Sequence, residues 1–235
     1  MEEDINKKII NLWTENTQKY PEATKFWPLL IPELKENSIL FIGINPGFKD
    51  SYFEKFGVSQ KDFLFSNKNF DIKQEIERES KAKLQGSIEH YATYFNPFEK
   101  IAQEVGEKWE HIDLFFIRDT SQNKLRELVD YEAIDESVIL NDFASKQLDL
   151  SLSLLQKIKP KAIIVQNALA SKILASKISI DASEFDNRGY DFINLNNRKV
   201  PIFFSGMLSG PHSLDSGSFR RLVWQIKQAL RDKVL

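Results

Sequence analysis

The chain has 235 residues, room for one α/β domain with a sizeable core or for two small ones. Its 42% hydrophobic and 28% charged residues are ordinary for a globular protein, and a net charge of −2 gives no overall basic balance for a nucleic-acid partner. With no cysteine it can form no disulfide, no cysteine-ligated zinc site and no iron–sulfur cluster. No apolar run approaches membrane-spanning length. The opening Met-Glu-Glu-Asp lacks the basic start of a signal peptide. A cytoplasmic protein with no membrane partner is therefore expected.

Residues 4–18 predict an amphipathic helix with Ile5, Ile9, Leu12 and Trp13 on one face. Pro28 and Pro32 mark a connection into the first strand. There Ser38-Ile39-Leu40-Phe41-Ile42 runs into Gly43-Ile44-Asn45-Pro46-Gly47. A short apolar run closed by turn residues reads as a buried parallel strand. In open α/β sheets ligands bind at the strands' carboxyl ends, so Asn45 is offered to the favoured pocket.

Residues 50–90 form a charged insertion rich in aromatics, among them Tyr52, Phe53, Phe56, Phe63, Phe65 and Phe70. Residues 71–88 read either as a solvated helix with paired charges or as a lid that grips a strand. Asn96-Pro97 offers a helix start and Gly106 a helix stop, with Phe98, Ile101, Ala102 and Val105 as the buried stripe. Ile112–Ile117 predicts a second strand, ending at Arg118-Asp119. A helix over 143–159 stops at Pro160, and Ala162–Val165 is a third strand with Asn167 capping a following helix. Residues 177–199 are looser, with a hairpin turn at Asn196-Asn197. Pro201–Phe204 is the fourth strand, and a last helix covers 217–232. Four strands alternating with helices predict a three-layer α/β/α sandwich around a central, mostly parallel four-stranded sheet. The expected organisation is a single domain, 1–235, with an N-terminal helical extension over 1–37.

Gly43-Ile44-Asn45-Pro46-Gly47 after a hydrophobic strand resembles the first motif of the uracil-DNA glycosylase superfamily, above all its mismatch-specific and single-strand-selective branches. The order of parts is similar over nearly the whole chain. The passage Leu155–Val165 is similar to the helix, Lys-Pro-Lys and strand of several branches. The last loop departs from the pattern: family members commonly show His-Pro-Ser or Asn-Pro-Ser, and this chain reads Met207-Leu208-Ser209-Gly210-Pro211-His212-Ser213.

The resemblance implies hydrolysis of a base–sugar bond in single-stranded or mismatched DNA by a monomer, with no metal and no cofactor. Such a reaction flips the base out of the stack, then needs a stacking face, contacts to the base edge, a donor for the developing anion and a placed water. The implied roles put Asn45 on the water and His212 on the leaving base. Gly43, Ile44, Pro46, Gly47 and Phe48 line the base-binding turn. Phe95 is the favoured stacking ring, and Asp119 reads the base edge with Arg118 as a neighbouring donor. Met207-Leu208 or Leu214 would form a wedge. Ser209, Gly210, Ser213, Ser216, Ser218 and Arg220 would hold phosphates at the last helix.

Each role has a plain alternative. Asn45 can tie up its own turn, any phenylalanine can be core, Arg118-Asp119 can be a surface ion pair, and His212 can be an exposed loop residue. A catalytically inactive relative that binds nucleic acid or protein is the alternative for the whole chain. An unrelated hydrolase or nucleotide binder finds no Gly-x-Ser-x-Gly, Walker or Gly-x-Gly-x-x-Gly pattern at a strand end.

Overall fold

The computed structural model describes residues 2–48, 58–83, 89–135, 137–183 and 185–231. The chain forms two compact units, each assembled from separated segments. One comprises Met1–Glu33, Asn45–Leu84 and Asp113–Leu152; the other comprises Leu34–Ile44, Gln85–Ile112 and Ser153–Leu235.

The second unit carries the main sheet. Its strands are β1 (Ile39–Gly43), β2 (Trp109–Asp113), β5 (Ala162–Val165), β6 (Ile180–Asp181), β7 (Asp191–Leu195) and β8 (Arg198–Phe204), while β3 (Glu132–Ile134) and β4 (Ser137–Ile139) make a separate hairpin in the first unit. The sheet order is β2-β1-β5-β8-β7-β6. β1, β5 and β8 run parallel, with Ile42 opposite Val165 and Val165 opposite Phe204. Every residue of β1 and β5 is buried, as expected of apolar runs in a parallel sheet. The architecture is thus mixed α/β with a central, mostly parallel sheet.

That sheet has six strands, where the sequence predicts four. The additional pair comes from residues 177–199, where β6 pairs antiparallel with β7 and β7 with β8. Asn196 and Asn197 sit at φ 51° and 61° between the paired Leu195 and Arg198. Two left-handed residues make the two-residue hairpin whose twist matches the strands. The expected turn is present, and it brings a strand with it.

Two boundaries also differ from expectation. β2 ends at Asp113, although Leu114–Ile117 are buried and apolar. The Phe116 backbone bonds to Leu29 N and to the Gln147 amide oxygen instead of to a strand. The helix ending at Gly106 begins at Glu89 and runs through Pro97, with no start at Asn96. A helix-interior proline costs about 3 kcal/mol. Packing offsets that cost: Phe98 is fully buried and stacks on Phe41 at 4.3 Å, and Phe95 lies against Trp109 and His111. Gly106, at φ 72°, ends the helix as expected, with Glu107 N on Ala102 O and Gly106 N on Gln103 O.

In the first unit the helix Glu2–Asn16 buries Ile5, Ile9, Leu12 and Trp13, and Trp13 meets Phe143 edge-on at 4.9 Å. The aromatics of the insertion form a second core. Phe63 packs with Phe48 and Phe70, and Trp27 stacks on Phe70 at 4.5 Å. Tyr52, Phe53 and Phe56 lie outside the described residues. Among the described residues no helix is long and apolar enough to cross a membrane.

The hairpin gives a stability test. Asn197→Val places a β-branched residue at φ 61°. It is expected to lower the urea-unfolding free energy by about 1–2 kcal/mol, whereas Asn197→Gly leaves it equal or higher.

Candidate functional site

Asn45 is the second residue after β1. Its amide nitrogen donates to Asp119 O at 2.7 Å and Ile117 O at 3.1 Å, with Pro46 O a longer third acceptor at 3.3 Å. The Asp119 N–H returns a bond to Pro46 O at 3.2 Å. Three carbonyls around one end of an amide fix which end that is, because only the NH2 can satisfy them. Oδ1 therefore faces away from the clamp, and among the described residues no group donates to it. Asn45 is a structural tie between two chain segments, and its carbonyl oxygen remains an acceptor for a water.

Its neighbours are less specialised. Gly43 and Ile44 are buried, and Pro46 is half-buried. A Cβ on Gly47 would meet Thr120 at an ordinary 3.8 Å, so space does not require glycine there. Phe48 is buried between Phe26 at 4.7 Å and Phe63 at 5.4 Å. The Asp119 side chain accepts from Ser121 N at 2.7 Å, an Asx turn that leads into the helix Gln122–Leu128.

Arg118 is no surface residue. Its side chain is fully buried, its Nε donates to Trp27 O at 3.1 Å, and its Nη atoms reach Glu79 Oε1 at 3.3 and 3.4 Å. It also pairs with Glu75, which pairs in turn with Arg78. Both guanidiniums lie against the Phe63 ring, at 4.6 and 5.3 Å. Glu75 and Glu79 stand four apart on the helix Ile72–Ala82, so this stretch turns one charged face inward. The solvated reading of that helix holds on its outer face, where exposed Lys81 and Glu77 pair at 2.6 Å, but not at Glu75 and Glu79; residues 84–88 of the expected helix lie outside the described residues. The available signal was the Glu75/Glu79 spacing set against a charged residue at the end of an apolar run.

Asp113 belongs to the same cluster. Burial pushes its carboxyl up to about 7; Lys83 and Arg118 oppose the rise and Glu79 adds to it. Burial likewise raises Glu79, with Arg118 opposing.

In the second unit Phe95 is buried in a ring cluster with Tyr94, Phe98, Trp109 and His111. A partly buried polar chain that sequence reasoning missed runs beside it: Gln166 Nε2 donates to Tyr94 Oη at 2.7 Å, and Tyr94 Oη lies 3.5 Å from His111 Nε2. The 205–215 loop closes on itself. Leu214 N donates to Met207 O at 2.9 Å and Ser213 N to Gly210 O at 3.1 Å, with Gly210 at φ 83°. His212 is exposed at its tip beside exposed Ser213, Met207 and Ser209 are half-buried, and Leu208 is buried at 4%. Leu208 therefore packs inward where a wedge would project.

The start of the last helix, Ser216–Arg231, already holds an anion. The Asp215 carboxylate accepts from Gly217 N, Ser218 N and Ser218 Oγ at 2.8, 3.1 and 2.6 Å, which holds its pKa below the usual range. A phosphate there would meet a like charge. Arg220 is exposed, with Nε 3.3 Å from Ser216 O. A cavity of about 480 Å³ opens elsewhere, at the amino ends of β1 and β5, lined by Asn37, Gln103, Glu107 and Lys161 among others. Among the described residues no cluster of His, Cys, Asp or Glu has the makings of a metal site.

Two tests follow from this geometry. Asn45→Asp places oxygens against the Ile117 and Asp119 carbonyls, so it is expected to destabilise more than Asn45→Ala, whose loss is about 1–3 kcal/mol by denaturant titration. The Asp113 carboxyl takes up a proton on folding between its ordinary 3.8 and about 7. Its contribution to stability is complete below that window and drains as pH rises through it. Asp113→Asn is expected to flatten this decline in urea midpoints measured from pH 4 to pH 8. No protein-family model and no curated protein sequence matches this chain.

Proposed function

We propose that the chain is a DNA glycosylase of the uracil-excising kind, built on a layered α/β/α fold of that superfamily. It hydrolyses the N-glycosidic bond of uracil or a related deaminated base, in single-stranded or mismatched DNA. The observation that carries this reading is the Asn45 amide. Its NH2 is spent on Asp119 O and Ile117 O, which leaves Oδ1 as an oriented acceptor just past the carboxyl end of a buried parallel strand. A water that donates a hydrogen to Oδ1 keeps its oxygen lone pairs free, one of them to attack the sugar C1′ as the bond to the base stretches. An amide is a weak base, and an oxocarbenium-like sugar asks only for a placed water. The base departs as an anion with the bonding electrons, and as the C1′–O bond forms the water's proton passes to bulk solvent.

A second reading, a nucleic-acid or protein binding module without catalysis, is favoured by one observation. The rings offered for base stacking, Phe48 and Phe95, are both engaged in aromatic clusters. The deciding assay incubates the protein with uracil-containing oligonucleotides, single-stranded and as U:G and U:A duplexes, and cleaves abasic products with alkali. Excision is expected in at least one form. Asn45→Ala is expected to lose about 100-fold, assayed at a temperature where its circular dichroism matches wild type. Intact substrate in every form, with uracil and with hypoxanthine or xanthine in its place, overturns the enzymatic reading.

A further inference from the structure

The outward side of the last helix carries three exposed arginines that no carboxylate among the described residues pairs with. Ser216–Arg231 contains Arg220, Arg221, Lys227 and Arg231 and no acidic residue, in a chain whose acids outnumber its bases by 34 to 32. Leu222, Val223, Ile226 and Ala229 are buried. At 3.6 residues per turn, Arg220, Arg221, Trp224, Lys227, Gln228 and Arg231 share the opposite side, an arc of about 120°. Trp224 stands in the middle of that arc and is 58% exposed, the largest fraction among the exposed large hydrophobics of the described residues. Lys227 is paired with Glu104 at 3.3 Å. Arg220, Arg221 and Arg231 are exposed and have no carboxylate partner among the described residues.

The neighbouring turn adds an exposed ring. Gln225 Nε2 donates to Gly189 O at 3.0 Å, which moors to this helix the short turn Phe185–Arg188. Phe185 is 49% exposed, and Arg188 follows it on the same turn. The second unit thus presents a second exposed ring, Phe185, on a turn tied to this helix, while Arg188 Nη1 reaches Tyr190 Oη at 3.5 Å.

We propose that this helix side is a binding platform for single-stranded nucleic acid, in which Trp224 stacks on a base and Arg220, Arg221 and Arg231 neutralise phosphates. An indole flanked by guanidiniums matches a polymer that alternates flat π faces with anions, and stacking of this kind is tolerant of sequence. A bilayer fits less well: the helix spends its apolar side on the core, which leaves Trp224 as its one well-exposed large apolar side chain, with only Phe185 nearby. An acidic protein segment would answer the arginines but gives the ring no counterpart. The platform does not rest on base excision. It serves a glycosylase as a strand-holding surface and a non-catalytic binder as its principal site.

The test is fluorescence anisotropy of a labelled oligothymidylate in 50 mM salt, with the full-length chain. Wild type is expected to bind, with affinity falling as salt rises at a log–log slope of about −2 for three phosphate contacts on a single strand. Trp224→Ala is expected to weaken binding about tenfold or more, and Trp224→Phe to retain most of it. The triple variant Arg220→Ala, Arg221→Ala, Arg231→Ala is expected to remove most of the salt dependence. All of these positions are exposed, so unchanged circular dichroism is the expected control. Three results overturn the proposal: no binding of the oligonucleotide, binding indifferent to Trp224→Ala, or displacement by polyglutamate as effective as by unlabelled oligothymidylate. Preference for phosphatidylserine vesicles over the oligonucleotide also overturns it, in favour of a membrane surface. Binding that survives Asn45→Ala separates the platform from excision: each can fail alone.

Discussion

A buried backbone must find hydrogen-bond partners, and past the end of β2 the chain stays buried with no strand paired to it among the described residues. From Leu114 to Arg118 every residue is buried. Several polar groups of this stretch are met from elsewhere in the same unit. Ser151 Oγ donates to the carbonyls of Asp113 and Leu114. The Gln147 amide oxygen takes the Phe116 N–H, and Leu29 N donates to Phe116 O. Asn45 caps Ile117 O and Asp119 O. Gln147 and Ser151 are wholly inaccessible polar side chains on one helix, and this stretch explains both. Such a segment is expensive to leave unsatisfied, at about 1–3 kcal/mol for each orphaned group. The orientation of Asn45, on which the functional reading turns, is thus a by-product of backbone bookkeeping.

Arg118 meets the same demand with charge. A guanidinium is all donors and no acceptor, and burying it requires a ring of oxygens. Trp27 O, Glu75 and Glu79 supply them, so the helix Ile72–Ala82 and the Trp27 segment are fixed by one side chain. A buried ion pair of this kind is weak grounds for net stability, because desolvation offsets much of the attraction. Its firm consequence is directional. A single orientation of the helix satisfies the arginine, and removing one partner strands the others in an apolar setting beside Phe63.

How much of this was legible in the sequence depended on range. Apolar runs and caps are local, and β1, β5, the Asn167 cap and the Gly106 stop lie where the residues predicted them. The Asn196-Asn197 turn was legible too, but strand β7 beside it was not, because an edge strand with half-buried residues lacks the apolar run that marked the others. Leu114–Ile117 failed for the opposite reason. Burial alone looks like a central strand, and only distant Gln147 and Ser151 reveal that the backbone is bonded otherwise. Phe95 was misplaced by its neighbour: Asn96-Pro97 has the composition of a helix start, and the packing of Phe98 and Phe95 carried the helix through it.

Net charge was the least informative number of all, and the structure says why. In the first unit arginine is drawn inside, where Arg118 and Arg78 are matched by Glu75 and Glu79 and present little to solvent. In the second, Arg220, Arg221 and Arg231 stand on a helix with no acid of its own. Both groups enter the sum with the same sign and weight, although only the second can attract an anion from solution. Screening restricts that attraction to about 8 Å at physiological salt. A polyanion therefore responds to the local arrangement of unpaired arginines, and a chain of net −2 is no worse placed to hold one than a chain of net zero.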